Sequence, residues 1–419
     1  MSEAPLASAL RVVVVGGGIA AIEAVLALHD LAPERMDVTL IAPEPHFMMR
    51  PLAVATPFSR GHVDRLALQD VMDEHSGRFV RSAVERVDAY ANRVKLVTGE
   101  EVAYDALVLA QGASEVPALS HGLTFGEHSG ALSGLLADME QGYSRSVAFV
   151  VPDGNTWPLP LYEIALMTAE EVWSMNMNDV DLHLVTPEPA PLAIFGPEAS
   201  ATVAELLAAA RITIHLDVRA RVPRNGRVEL GGEDAIDVDR IVALPILEGR
   251  RFDGIPSDTD GFIPVDDTGL VAGLPNVYAV GDVTDRPIKQ GGLACQQADV
   301  AAAHIAKRAG ADIEVPPLEQ KLRGRLLTGG GDRFLRRDTG ATGETATSEP
   351  LWWPSAKVSG KYLSPYLAGK GVVHLPSRGA PPENAMDVEV DVTRPRRVPG
   401  GVVESALRPI TPLHPGLRA

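Results

Sequence analysis

Gly16-Gly17-Gly18 is the feature that most limits what this chain can fold into. It follows Arg11-Val-Val-Val-Val15, a run apolar enough for a strand buried on both faces. It precedes Ile19 to Leu31, where alanine, leucine and isoleucine dominate without a breaker, as in a helix. Val38-Thr-Leu-Ile-Ala42 supplies a second short strand, closed by Pro43. A strand, glycine turn, helix and strand in about 30 residues match the length of a parallel crossover. Gly16-Gly17-Gly18-Ile19-Ala20-Ala21 also satisfies G-x-G-x-x-A. In that pattern the first glycine turns the chain tightly, the second lets a pyrophosphate approach the backbone, and the small last residue lets helix and sheet pack closely. The helix start adds unpaired N–H groups and a positive dipole end. The acidic residue that should hold the ribose is displaced: Ala42 and Pro43 stand at the strand end and Glu44 follows. Glu44 is either a ribose ligand reaching from the next turn or a solvated loop carboxylate.

A β-rich stretch runs from Phe79 to Ala110, with Phe79-Val80, Arg93 to Val97 and Asp105 to Ala110 as strands. Pro117 to Tyr143 is mixed and reads as a connection. Ser146 to Val151 starts a second unit, with a helix from Leu161 to about Met175 and a strand at Asp181 to Val185. A helix near Ser200 to Ala210 follows, then strands near Thr213 to Leu216, Arg227 to Leu230 and Arg240 to Leu244. Asn276 to Val280 is a further strand, and Leu293 to Arg308 a helix. The pattern predicts an α/β chain with two Rossmann-like, doubly wound, three-layer dinucleotide-binding domains and a C-terminal extension. The expected boundaries are 1–117 with 262–320, then 118–261, then 321–419. Arg337 to Pro350 is Gly/Thr/Ser/Glu-rich and reads as a flexible loop. From Pro350 onward 11 of 70 residues are proline, which argues against long helices there.

A net charge of −17 leaves no basic footprint, so nucleic acid is excluded as a partner and an anionic membrane would repel most of the surface. The single cysteine, Cys295, excludes an intrachain disulfide, a dithiol redox pair and a cysteine-based zinc site. No metal site is predicted. No run of 18 apolar residues predicts a transmembrane helix, and Val12 to Leu28, interrupted by three glycines and Glu23, is not read as an export signal.

Three further segments carry a family resemblance. Tyr104-Asp-Ala-Leu-Val-Leu-Ala-Gln-Gly112-Ala113 is similar to the strand-to-glycine segment of flavoproteins with two dinucleotide domains. Val277-Tyr-Ala-Val-Gly281-Asp282, with Lys289-Gln-Gly-Gly-Leu-Ala-Cys-Gln-Gln297, is similar to their second flavin signature. With the glycine turn, these segments resemble the pyridine nucleotide–disulfide oxidoreductase superfamily. The nearer branch holds sulfide:quinone oxidoreductases, flavocytochrome c sulfide dehydrogenases and type II NADH dehydrogenases. His46-Phe-Met-Met-Arg-Pro51 and Leu322-Arg-Gly-Arg-Leu-Leu-Thr-Gly329 resemble further segments of that branch. The resemblance implies FAD as cofactor, with Gly16, Gly17, Gly18, Ile19, Ala20, Ala21, Glu44, Arg50, Val84, Gly112, Gly281, Asp282, Lys289 and Gly291 around it. Asp282 would meet the ribityl chain, and the helix after Lys289 would face the flavin pyrimidine.

The chain also departs from the branch. No C-x4-C pair follows the first unit, and Trp157-Pro-Leu-Pro-Leu-Tyr-Glu163 puts tryptophan where sulfide oxidisers carry a sulfur nucleophile. An indole cannot attack or hold a persulfide. Pro152 to Pro160 has one glycine and three prolines where a nicotinamide site wants glycines, which is unfit for a pyrophosphate. Cys295 reads as a small packed core residue. Trp157, Lys289 and Glu163 are the candidate catalytic residues. Trp157 either stacks over the flavin, lines a substrate pocket or is a buried aromatic. Lys289 stabilises anionic reduced flavin or is a surface lysine, and Glu163 pairs with Lys289 or caps its helix. Trp352, Trp353, Lys357, Lys361, Tyr362 and Tyr366 form an aromatic and basic cluster, suited to a membrane interface or to packing over the flavin or another subunit.

The expected function is an FAD-dependent oxidoreductase that works directly at the flavin without a cysteine relay. It passes electrons from a small-molecule redox substrate to a quinone or another acceptor. An NAD(P)H-dependent flavin dehydrogenase and a non-catalytic flavin-binding protein are the alternatives. The expected location is cytoplasmic, with weak peripheral association at the inner membrane face and a homodimer both left open.

Overall fold

The computed structural model describes residues 9–61, 63–126, 130–338 and 344–372. The proline-rich tail expected beyond these lies outside the described residues. Ten strands build two parallel sheets: β1 (Leu10–Val15), β2 (Met36–Ala42), β3 (Arg78–Arg81), β4 (Ala106–Leu109), β5 (Leu123–Thr124), β6 (Ser146–Val150), β7 (Asp181–Val185), β8 (Ile212–His215), β9 (Arg240–Ala243) and β10 (Val277–Ala279). Among the described residues the seven α-helices are α1 (Ile19–Leu31), α2 (Leu68–Glu74), α3 (Ala131–Glu140), α4 (Leu159–Ser174), α5 (Pro197–Ala209), α6 (Gly291–Arg308) and α7 (Leu363–Gly369).

The first sheet has the order β10-β4-β1-β2-β3 and the second β5-β9-β6-β7-β8. Each reverses direction beside its first strand, between β1 and β4 and between β6 and β9. Such switch points are where doubly wound sheets bind ligands. The valines of β1 alternate between layers: Val12 and Val14 pack with α1 and α6, and Val13 and Val15 with Val94, Leu96 and Leu107 on the other face. Covered on both sides, the strand needs the continuous apolar run seen in the sequence. Alanines let α1 and α6 lie close together; Ala21, Ala24, Ala298 and Ala301 are buried between them. The second core joins α3, α4 and α5 to Val147 and Phe149.

Two regions differ from expectation. The connection at 117–143 contains α3 and the two-residue β5. Part of the stretch read as a flexible loop, 337–350, is strand instead: Glu344–Thr347 and the end of Arg333–Asp338 join Lys321–Leu326 in an antiparallel sheet. Polar composition suggested a loop, but Thr345 and Thr347 suit an edge strand once a partner offers ladder hydrogen bonds. Residues 339–343 of that stretch lie outside the described residues.

Candidate functional site

The glycine turn sits at the first switch point. Gly16 has φ +127°, and a Cβ there would lie 2.4 Å from the Ala110 carbonyl oxygen, so β1 can leave the sheet beside β4 only as glycine. A Cβ on Gly17 would meet Leu68 at 2.8 Å and Ala42 at 3.2 Å. Gly18 is the opposite case: it is exposed, and a Cβ would meet nothing within 4 Å. Gly18 N-caps α1 with no side-chain cap, so no capping side chain takes up the first helical N–H groups. Ala21 is fully buried. Beside this turn both side-chain amide atoms of Gln111 are buried without a protein partner. An open glycine, an uncapped helix start and an orphaned amide fit the phosphates and polar edge of a dinucleotide.

Gly281 and Asp282 approach from β10. Gly281 has φ +78°, and its Cβ would stand 3.0 Å from Ala20 Cβ and 3.3 Å from Ala294 Cβ, so the loop is wedged between α1 and α6. The Gln297 side chain accepts from Gly281 N at 2.8 Å. Asp282 is half-buried, and burial pushes its carboxyl up to about 6, partly offset by Lys289. Lys289 is buried; its ammonium lies 3.5 Å from the Phe262 ring centroid and donates to the Thr284 carbonyl. Burial lowers Lys289 to about 8, against the pull of Asp282, Asp258 and Asp285. Lys289 is therefore no surface lysine. Gly291 opens α6 against Ile19 and Val358, whose side chains a Cβ would meet at 3.1 Å. Gln290 caps that helix by accepting from Leu293 N at 2.8 Å.

Other candidates stand further out. Glu44, His46 and Arg50 are exposed, and Val84 is partly buried against the outer core of the first sheet. Gly112 has φ +70° with nothing near its Cβ position.

Glu163 does not pair with Lys289, and it is not a cap. It is the fifth residue of α4, whose N-cap is Pro158, and its side chain is fully buried. Its partner is Lys357 of the C-terminal extension, in direct hydrogen-bond contact, and Leu327 N donates to the same oxygen at 2.8 Å. Glu163 Oε2 is buried with no partner. Lys357 also donates to the Arg325 carbonyl at 2.7 Å. Burial raises the Glu163 carboxyl despite Lys357, and it lowers Lys357 despite Glu163. Each partner relieves a charge that would otherwise be strongly disfavoured. Trp157 is half-buried, edge-to-face on Phe195 with centroids 5.8 Å apart. Phe195 in turn presses on Gly324, where a Cβ would come within 2.5 Å of its ring.

The aromatic and basic cluster is mostly absorbed in packing. Trp352 is buried against Phe334, and Lys357, Tyr362 and Tyr366 are buried, while Lys361 is exposed and Trp353 keeps 37% exposure. Among the described residues no helix is long and apolar enough to cross a membrane. Sequence reasoning missed Gln111 and the pairing of Lys357. Gln111 lies inside a quoted motif, but nothing local marks its amide as orphaned, and Lys357 was noticed only as one of several cations.

The second switch point is closed. Leu247 N donates to the Asn155 carbonyl at 2.7 Å and Thr156 Oγ1 to the Pro245 carbonyl at 3.1 Å, lacing the loop after β6 to the segment after β9. Pro160 removes an N–H at the start of α4, and Leu161 N is already bound to the Pro158 carbonyl. Beyond β7, Glu188 is taken up by the Tyr162 hydroxyl at 2.7 Å and the Thr186 hydroxyl at 2.9 Å.

Residues 10–310 match the pyridine nucleotide-disulphide oxidoreductase family. A sulfide-quinone reductase of Aquifex aeolicus is 27% identical over 190 residues, covering 43% of this chain and 44% of that protein, so the matched stretch spans less than half of the relative. The crystal structure of the Aquifex aeolicus sulfide:quinone oxidoreductase superposes with a TM-score of 0.73 at 20% identity, over 81% of this chain and 87% of that one. The Plasmodium falciparum NDH2 structure in complex with NADH gives 0.63 at 13% identity, over 80% and 91%. These structures share the fold: two Rossmann-like parallel sheets with added antiparallel pieces. The chain is an enzyme of the pyridine nucleotide-disulphide oxidoreductase family, whose members are flavin oxidoreductases that typically bind FAD.

Proposed function

We propose that this enzyme binds FAD at the first switch point and exchanges electrons with its substrates directly at the flavin, without a sulfur relay, using a quinone as acceptor. The observation that carries this is the contrast between the two switch points: the first leaves Gly18 exposed, the α1 N-terminus without a side-chain cap and the Gln111 amide unpartnered, and the second is laced shut. Cys295 supports the absence of a relay, being fully buried with a thiol that burial and Glu23 push well above its ordinary range.

Gly18 and the start of α1 receive the pyrophosphate, and Asp282 accepts a hydroxyl hydrogen bond as the carboxylate. Bound FAD supplies two-electron redox chemistry at its ring. Lys289 holds positive charge beside Asp282 in a site of low water content, which favours added negative charge on a bound group. Glu163 Oε1 and Lys357 offset each other's charge in the core and tie the C-terminal extension to α4. The quinone assignment rests on what the similar proteins are named for.

The test is flavin spectroscopy on the purified protein. Saturable FAD binding is expected, with no bleaching on anaerobic mixing with NADH or NADPH and rapid reoxidation of the dithionite-reduced protein by a soluble quinone. Bleaching by NADH would transfer the donor role to nicotinamide through the remodelled loop. Failure to bind FAD would end the reading, and a flavin inert to every donor and acceptor would make the protein a binding protein.

A further inference from the structure

Gln290 joins the start of α6 to the C-terminal antiparallel sheet. The usual helix caps are Ser, Thr, Asp and Asn, whose short side chains reach the first free N–H groups. Gln290 caps with a longer one: its Oε1 accepts from Leu293 N at 2.8 Å, and its Nε2 donates to the Arg323 carbonyl at 3.0 Å. The side chain is buried. Arg323 lies in Lys321–Leu326, an end strand of its sheet among the described residues, and side chains take the place of a further strand along it. Gln296 accepts from Lys321 N at 2.9 Å and donates to the Lys321 and Gly292 carbonyls at 3.0 Å, and Lys357 donates to the Arg325 carbonyl at 2.7 Å. One amide, that of Gln290, is therefore shared between a helix start and a strand 33 residues away.

That helix start lies at the first switch point. Gly291 stands against Ile19, the first residue of α1, and Gly281 is wedged between Ala20 and Ala294, so α1 and α6 begin side by side. Gly291 and Gly292 carry the first two N–H groups of α6, for which a helix has no acceptor of its own. With Leu293 N taken by Gln290, these two are what the positive end of α6 offers a ligand.

We propose that Gln290 is a positioning residue for the bound flavin: by tying the first turn of α6 to the C-terminal sheet, it sets how closely the Gly291 and Gly292 N–H groups approach the cofactor, and so raises its reduction potential. The proposal rests on FAD occupying the first switch point. Reduction adds negative charge to the flavin, and a helix start stabilises negative charge. That effect falls off within one turn, so a small displacement of the turn is felt by the cofactor. Gln296 grips the same strand from the second turn of α6, and its loss leaves the first turn capped and tied.

The test is the midpoint potential of the full-length, FAD-loaded protein, with hydrogen exchange of Lys321–Leu326 measured alongside. Gln290→Ser retains a cap but cannot span to Arg323. It should speed exchange in that strand and shift the balance of reduced and oxidised flavin about ten-fold toward oxidised, a potential about 30 mV lower for two electrons. Gln290→Ala, which lacks the cap as well, should shift it at least as far. Gln296→Leu should speed exchange in the same strand and leave that balance within about two-fold of the parent. Circular dichroism and flavin absorption establish that each variant is folded and loaded. An unchanged potential in Gln290→Ser would make Gln290 a structural clamp and overturn the proposal. An equal shift in Gln296→Leu would assign the effect to general loosening and overturn it too. With a parent that binds FAD, these results remove only the role of Gln290; a parent that binds none loses the cofactor assignment and this role with it.

Discussion

Replacing Glu23 by glutamine tests whether a single buried carboxylate fastens the C-terminal extension to the first sheet. Glu23 is fully buried within α1, and its oxygens accept from Tyr362 N at 2.9 Å and Leu363 N at 2.6 Å. These are the N–H groups at the start of α7, so Glu23 acts as a helix cap supplied from 340 residues away. A Cβ on Gly360 would come within 2.7 Å of Glu23 Oε2 and 2.9 Å of Cys295 Sγ, so the extension lies directly on the carboxylate. Hydrogen bonds to a charged group contribute about 1.5–3 kcal/mol each, and an amide retains one acceptor while turning an NH2 toward the other N–H. Glu23→Gln should therefore weaken the docking of residues 355–372 by about 2–3 kcal/mol. The expected readout is hydrogen exchange at residues 362–372 that is faster by about 30- to 150-fold, with α1 and β1 nearly unchanged. Exchange within about three-fold of the parent would refute the role given to this carboxylate.

The same site has a definite pH dependence. Burial raises the carboxyls of Glu23 and Asp299, which also hydrogen-bond to each other, and Asp299 Oδ1 is buried without a partner. Cys295, Lys361, Tyr362 and Asp30 are the other titratable groups facing this cluster. A raised carboxyl means that the folded state holds protons that the unfolded chain releases at the ordinary carboxylate value. Stability from this site is thus complete below that value and is lost as pH rises toward the folded one. Asp299→Asn supplies a permanent donor in place of the proton. It should protect the extension more than the parent does at about pH 8 and equally at about pH 3.5, below the ordinary carboxylate value.

Three further outcomes follow from the geometry. Gly16→Ala should destabilise the protein without cofactor by about 3 kcal/mol or more in thermal unfolding, since it combines positive φ with a backbone clash, whereas Gly18→Val should leave that stability within about 0.5 kcal/mol and lower FAD affinity more than ten-fold. FAD affinity measured by fluorescence quenching should rise about ten-fold from pH 5 to pH 7 as the Asp282 carboxyl, at about 6, ionises, and Asp282→Asn should flatten that profile. Lys357→Met should cost about 3–5 kcal/mol in denaturant unfolding by stranding Glu163, and the double variant with Glu163→Gln should recover most of it.

What the sequence made legible was local. The valine run of β1 has to be buried on both faces, and Gly16 is required by a contact with a strand that the motif itself predicts. Gly281 was legible as the end of a strand, and the structure sets it against Ala20 of α1 and Ala294 of α6. Pairings across the chain were not legible: Glu163 and Lys357 are 194 residues apart, and nothing near either names its partner. Glu23 read only as an interruption of an apolar helix, because the segment that buries it folds back from the C-terminal region. The strand Glu344–Thr347 was missed for the same reason, since three polar residues and one alanine form a strand only when a neighbour provides the ladder.

The two Rossmann-like units show how one architecture gains or loses a ligand site at a single turn. In both, a buried parallel strand runs into a helix at the point where strand order reverses. In the first, three glycines keep the turn narrow and the helix start uncovered. In the second, Pro152, Pro158 and Pro160 remove N–H donors, and Asn155 and Thr156 spend the remaining polar groups on the segment after β9. The acid beyond β7, Glu188, is bound to Tyr162 and Thr186, so the polar groups that could hold a ribose are internally satisfied. A buried polar group already paired gains little from a ligand, while an orphaned one such as Gln111 gains a full hydrogen bond. The difference in ligand capacity between the units therefore lies in which polar groups were left unpaired, with the sheet itself unchanged.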